Sequence, residues 1–309
     1  MGQNYGRPQN TAVEQQELRC PGASRHEAEA VIPRALGALL RAFLVIIMIV
    51  TPSLLLPGTA MDVMPVVTLV ALFAAGLTFF EYASTYPGLV EFRDAPPFNR
   101  IRFGSLFLMV ILLTELVIGM QDPTPISNAI TAVGATVGHA IDFPYSPVRL
   151  VVLMLPPDAD PRHVQLVRDS AGLAYIVSLC TLAVFIIYQR LRQWPTRNGG
   201  FNVWVNLPTF DPTAGGDVVE RLERDARFNI ALGFLLPFLT PAVIQSATSL
   251  FGTVSLDNPQ TLIWTVAAWA FLPASLFMRG IAMGRIALLI TEKRKLASEA
   301  NGNAGLVPI

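Results

Sequence analysis

Hydrophobic positions along this chain fall into six long runs almost free of charge, separated by short polar segments. No charged residue lies between Arg41 and Asp62, Asp62 and Glu81, Asp169 and Arg190, Arg227 and Asp257, or Asp257 and Arg279. The remaining run, Phe103 to Gln121, is interrupted only by Glu115. At a helical rise of about 1.5 Å per residue, each run can cross a hydrocarbon core of about 30 Å. The pattern predicts an all-α integral membrane protein, a bundle of six transmembrane helices at 36–57, 63–83, 103–120, 170–190, 228–251 and 261–279.

The segments between the runs divide the chain further. Residues 1–32 are rich in Gln, Asn, Glu and Arg without an apolar period, the composition of a disordered tail. Helices 1–3 occupy 33–120, and 121–169 form an outer loop with a short helix. Helix 4 takes 170–192, a polar segment 193–227 follows, helices 5–6 take 228–290, and 291–309 form a tail. Within the outer loop, Asp122-Pro123-Thr124-Pro125 signals a turn. Residues 126–141 carry Asn128, Thr131, Thr136 and His139, so they read as a surface or re-entrant helix rather than a seventh span. Gly134 and Gly138 give that helix a small-xxx-small packing face. Val148 to Leu155 fits a strand or a helix equally, and the chain from Pro161 is expected to run helically into the fourth span. In the polar segment, Phe201 to Leu207 alternates with period two and predicts an extended stretch. Asp217 is the expected N-cap of the next helix, with Glu220 at capping-box spacing.

Charge orients the runs. If the N-terminus is cytoplasmic, nineteen of the 22 basic residues fall in cytoplasmic segments, and only Arg149, Arg162 and Arg168 fall outside. The outer segments are acidic instead, with Asp62, Asp122, Asp142, Asp158, Asp160, Asp169 and Asp257. The positive-inside rule therefore predicts that both termini are cytoplasmic. Gly58-Thr59-Ala60 resembles a signal-peptide cleavage site, but the polar region before the first run is too long for a signal n-region. Arginine far exceeds lysine, which points to a high-GC bacterial genome and hence to the inner membrane.

Composition adds exclusions. Charged residues make up 14% of the chain, against about 25% in soluble domains, so most of the exterior is expected to face lipid. Zero net charge argues against a nucleic-acid partner. Cys20 and Cys180 supply neither a disulfide framework nor a metal site. His26, His139 and His163 all lie outside the spans, so no histidine pair can hold a haem between helices. No phosphate loop, zinc motif or nucleophile–base pair is present, so no catalytic, cofactor or metal residue is assigned.

The candidate functional residues are those that are costly in lipid. Glu115 lies roughly 8 Å inside the outer end of the third span, a depth suited to a proton or cation ligand. Pro237 and Pro241 break the fifth span, and each frees a carbonyl one turn earlier, as in the discontinuous helices of transporters. Gln245 and Ser249 continue that face at steps of four. Glu81 and Arg279 lie at matching depths near the cytoplasmic side, so Glu81 is expected to pair with Arg279 or with Arg102. The expected function is a non-enzymatic inner-membrane protein that binds a membrane partner or a second copy of itself, or helps assemble a membrane complex. The alternative is a small-solute or ion transporter using Glu115 and the broken fifth helix; an intramembrane enzyme acting on lipid has the least support.

Overall fold

The computed structural model describes residues 21–57, 63–192, 194–195, 203–211, 213, 215–251 and 256–304, without the side chains of 21–32, 63, 203–204, 247–251 and 300–304. Among the described residues there is no strand. The helices are α1 Pro21–Leu55, α2 Val63–Ala83, α3 Phe98–Gly119, α4 Pro125–Ala140 and α5 Pro147–Val152. They continue with α6 Pro161–Leu191, α7 Val203–Asn206, α8 Val218–Phe251 and α9 Pro259–Ala304. Six of them, α1, α2, α3, α6, α8 and α9, are long and apolar enough to cross a membrane. The chain thus has the make-up of a multi-pass membrane protein.

Three short-range starts follow one rule. Thr124, Ser146 and Asp160 each precede a proline and accept a hydrogen bond from a backbone amide of the helix they open. A polar N-cap satisfies an orphan donor, and proline at the first helical position gives up an amide that had no partner. Thr124 forms a capping box with Ser127. Residues 126–141 are therefore a helix, as expected, and 148–155 resolve to a helical turn. The fourth apolar run begins at Pro161, with the polar stretch through Arg168 already helical.

Several boundaries differ from the sequence expectation. Residues 21–32, expected in a disordered tail, continue α1 as helix. The alternating stretch 201–207 is not extended: residues 203–206 form a helical turn, and 201–202 lie outside the described residues. Asn206 and Leu207, adjacent in sequence, are both buried there, where an extended stretch with one exposed face would bury only one of them. The expected tail from 291 continues α9, whose 46 residues extend about 69 Å.

Two hydrophobic cores lie at opposite ends. One gathers Met109, Leu113, Val148, Val167, Ile263 and Val266. The other gathers Phe92, Phe98, Phe185, Trp194, Leu207 and Met283. Arg41 stacks on Tyr82, Arg102 bonds Ser275 and Arg279 bonds Glu91, which makes one end of the structure rich in arginine. At the other end Gln260 bonds Ser53, and His163 approaches Asp257 at 3.5 Å.

Close approach is made possible by glycine. A Cβ on Gly172 of α6 would stand 2.5 Å from the Cα of Gly138 on α4, and Gly138 and Gly134 face the carbonyls of Arg168 and Asp169. The small-residue face read from the sequence is thus the α4–α6 contact. Between α8 and α9, Gly280 and Gly233 lie against the backbone carbonyls of Ala226 and Pro273. α2 differs from the other long helices: it packs extensively against α1 alone. Only 11% of its most apolar window is buried, against 56% for α9.

Replacing Gly172 with valine is expected to separate α4 from α6. Protease accessibility of residues 125–140 should rise in the variant, while unchanged protection would contradict the close crossing.

Candidate functional site: a polar cluster at the arginine-rich end

The connection 84–97 between α2 and α3 carries a dense set of bonded polar groups among the described residues. Glu81, at the last turn of α2, turns its carboxylate back to accept the amides of Gly88, Leu89 and Val90 at 2.9–3.0 Å. Arg93, with a side chain 6% exposed, donates to the carbonyls of Glu81, Ser84 and Thr85. One acid and one base therefore satisfy donors and acceptors that an irregular segment leaves without helical partners.

The same segment enters the aromatic core. Phe92 is fully buried, with its ring 4.4 Å from that of Phe98 and 5.7 Å from that of Trp194. Its φ of +53° costs a bulky residue on the order of 1–3 kcal/mol, sustained only where surroundings over-determine it. Those surroundings are visible: the Phe92 amide donates to the carbonyl of Asn206, and the Asp94 amide to the Asn206 side chain. Trp194 donates its indole N–H to the carbonyl of Ala95.

Glu91 and Arg279 form the centre. Arg279 grips both carboxylate oxygens of Glu91 at 2.6 and 2.8 Å. It also donates to the Asn229 carbonyl oxygen at 2.9 Å. Thr209 donates its hydroxyl to Glu91 at 2.7 Å. The Glu91 side chain is 11% exposed and that of Arg279 29%. A fork-shaped guanidinium suits this bidentate geometry, and the added donors compensate for partial desolvation. Four segments meet here: the 84–97 connection, the 207–210 segment, α8 and α9. Nearby, Asp217 accepts the Val219 amide at the start of α8 and Arg294 of α9 at 2.8 Å. The hydrogen bond from Arg294, with that from Val219, holds the Asp217 carboxyl below the ordinary carboxylate range.

This geometry corrects one expectation. Glu81 pairs with neither Arg279 nor Arg102, because its own connection returns amides within reach. Arg279 takes Glu91, and Arg102 takes the Ser275 hydroxyl at 3.0 Å. Glu91, Asn229 and Thr209 were overlooked in the sequence. Glu91 lies in a connection, so a search for charges within apolar runs passes over it; the acid–base alternation Glu91-Phe92-Arg93-Asp94 was the available signal.

The other sequence candidates do not converge. Glu115 is half-buried on α3 and makes no hydrogen bond or ion pair with the described residues. Its neighbour Thr114 bonds the carbonyl of Val110 within α3. Pro237 and Pro241 are buried on the side of α8 that faces α9. The carbonyl freed by Pro241 is that of Pro237, and it accepts the indole N–H of buried Trp269 at 3.0 Å. Gln245 is exposed and reaches the Leu153 carbonyl at 3.4 Å, while the Ser249 side chain lies outside the described ones.

At the opposite end, Asp142 faces both Arg149 and Arg168 at 2.9 Å. Two of the three basic residues on that acidic side thus sit against one buried carboxylate. Among the described residues, no group of three or more metal-ligating side chains assembles. Comparison with protein-family models, with curated proteins and with solved structures returns no match.

Two outcomes follow for the cluster. Arg279→Gln should lower stability by about 2 kcal/mol, because it strands a mostly buried Glu91. Glu91→Gln with Arg279→Gln should cost less than the sum of the singles in unfolding measured in detergent; additive losses would contradict the pairing. For Asp217, a depressed folded-state pKa means its stabilisation is fully present above the unfolded value of about 3.9 and is lost as pH falls through the folded value. The stability gap between the natural chain and Asp217→Ala should close on acidification below that range. A gap constant in pH would contradict the Arg294 contact.

Proposed function

We propose that this chain is a multi-pass protein of a bacterial inner membrane, with its arginine-rich end cytoplasmic, that binds a membrane partner instead of catalysing a reaction. The orientation is supported by the excess of basic residues at that end. It is supported too by the contacts between Asp142 and both Arg149 and Arg168 on the other side.

The observation that carries the partner reading is the α1–α2 arm. α2 is attached through α1, and Leu69, Phe73 and Phe80 project from it 68–70% exposed. Apart from Glu115, which makes no hydrogen bond or ion pair with the described residues, the polar groups that a transport or catalytic reading would employ are occupied by structural contacts. Arg279 is held by Glu91 and Asn229, Glu81 by backbone amides, and the Pro237 carbonyl by Trp269. An outlying helix with one neighbour offers lateral surface to another transmembrane helix, where close packing drives association.

A photo-crosslinking residue at Phe73 should yield one reproducible protein adduct in native membranes, and the same residue at Val184 on α6 should not. Leu69→Ala with Phe73→Ala should reduce co-purification of that partner. Equal labelling at the two positions, or recovery of this chain alone, would contradict the reading. Gradient-driven flux in proteoliposomes that is lost on Glu115→Gln would replace it with a transporter.

A further inference from the structure

The strongest unassigned feature lies where α1 and α2 meet the 93–94 turn. Pro33, Arg34, Gly37 and Arg41 of α1, Tyr82 of α2, and Arg93 with Asp94 of the connection line a cavity of about 330 Å³. Three guanidinium groups face it and one carboxylate. That carboxylate, Asp94, is paired with Arg93 at 3.2 Å, so two positive charges stay uncompensated within the lining.

The arginines differ in what they have left to give. Arg93 is engaged by three backbone carbonyls and Asp94, which fixes it as a wall. Arg41 donates once, to the Gly37 carbonyl at 2.7 Å, and lies flat over the Tyr82 ring at 4.6 Å. A guanidinium carries five donors, so most of those on Arg41 stay open. Arg34 is exposed and has no carboxylate partner among the described residues. Open, oriented guanidinium donors of this kind recognise phosphate.

Position selects the source of that phosphate. Arg41 opens the first charge-free run, and Tyr82 closes the second next to Glu81. The cavity therefore sits at the edge of the apolar spans, the level of headgroups and of the aromatic belt. Leu36, Leu40 and Phe43 on α1 and Phe80 on α2 are exposed beside it, giving acyl chains a surface to follow. A free phosphate ion has no use for those side chains.

We propose that this cavity binds the phosphate of an anionic phospholipid headgroup, held by Arg34 and Arg41 against the wall formed by Arg93 and Tyr82. Basic pockets between helices at the headgroup level are suited to such headgroups. This inference needs only the six apolar spans, and it stands whether or not the arm also binds a protein.

The test uses the full chain in phosphatidylcholine nanodiscs titrated with phosphatidylglycerol, with bound lipid counted by native mass spectrometry. The expected result is saturable binding of one phosphatidylglycerol per chain in preference to phosphatidylcholine. Arg34→Gln with Arg41→Gln should weaken it about thirtyfold, since each basic side chain near a lipid surface contributes about a factor of five. Arg192→Gln, at the same end but outside the cavity, should leave it intact. Helicity by circular dichroism, unchanged in the double variant, separates loss of the site from loss of the fold; if helicity falls, Arg34→Lys with Arg41→Lys should retain partial binding. Equal affinity for both lipids, undiminished binding in the double variant, or displacement by millimolar inorganic phosphate would each overturn the proposal, the last by assigning the site to free phosphate.

Discussion

A backbone amide or carbonyl without a partner is expensive wherever water is scarce, and the arginine-rich end is organised around that constraint. Helices satisfy their own groups, but the connection 84–97 lies against the bundle without helical bonding over most of its length. The chain meets the cost with side chains drawn from both flanks. Glu81 supplies acceptors for three consecutive amides, Arg93 supplies donors for three carbonyls, and Asn206 pairs with the backbone of Phe92 and Asp94. With those bonds in place the connection buries Phe92 and presents Glu91 to Arg279.

The same constraint bears on the fifth span, which was expected to be broken but runs as one continuous helix from Val218 to Phe251 with Pro237 and Pro241 inside it. Proline removes a donor, and the orphaned carbonyl needs a new one. In a transporter that donor or its replacement is a substrate or an ion; here it is the indole N–H of Trp269, stacked near Tyr175. The proline pair therefore shapes the α8–α9 contact, with Gly233 and Gly280 admitting the close approach. The carbonyl that Pro241 leaves without a helical donor is taken up by packing against α9.

How far the sequence foretold this depends on the range of the interactions involved. Charge-free runs are summed over many residues, so six apolar helices were legible. Local caps at Thr124, Ser146 and Asp160 could be read from dipeptides such as Thr124-Pro125. Gly134 and Gly138 announced a close crossing but not its partner, because Gly172 lies on another helix. The stretch 201–207 was misread because its alternation is a local signal, whereas Asn206 is held by Phe92 and Asp94, more than a hundred residues away in the chain. Glu81 was assigned to Arg279 by depth alone. Depth ranks residues along the membrane normal and carries nothing about which carboxylate faces the guanidinium laterally.

Amide hydrogen exchange across residues 84–97 tests the central claim most directly, because exchange reads the bonding of this connection residue by residue. The account predicts that the amides of Leu89, Val90, Phe92 and Asp94 exchange far more slowly than an unstructured loop, and that Glu81→Ala releases the first two. Exchange at the rate of a free peptide in the natural chain would contradict it.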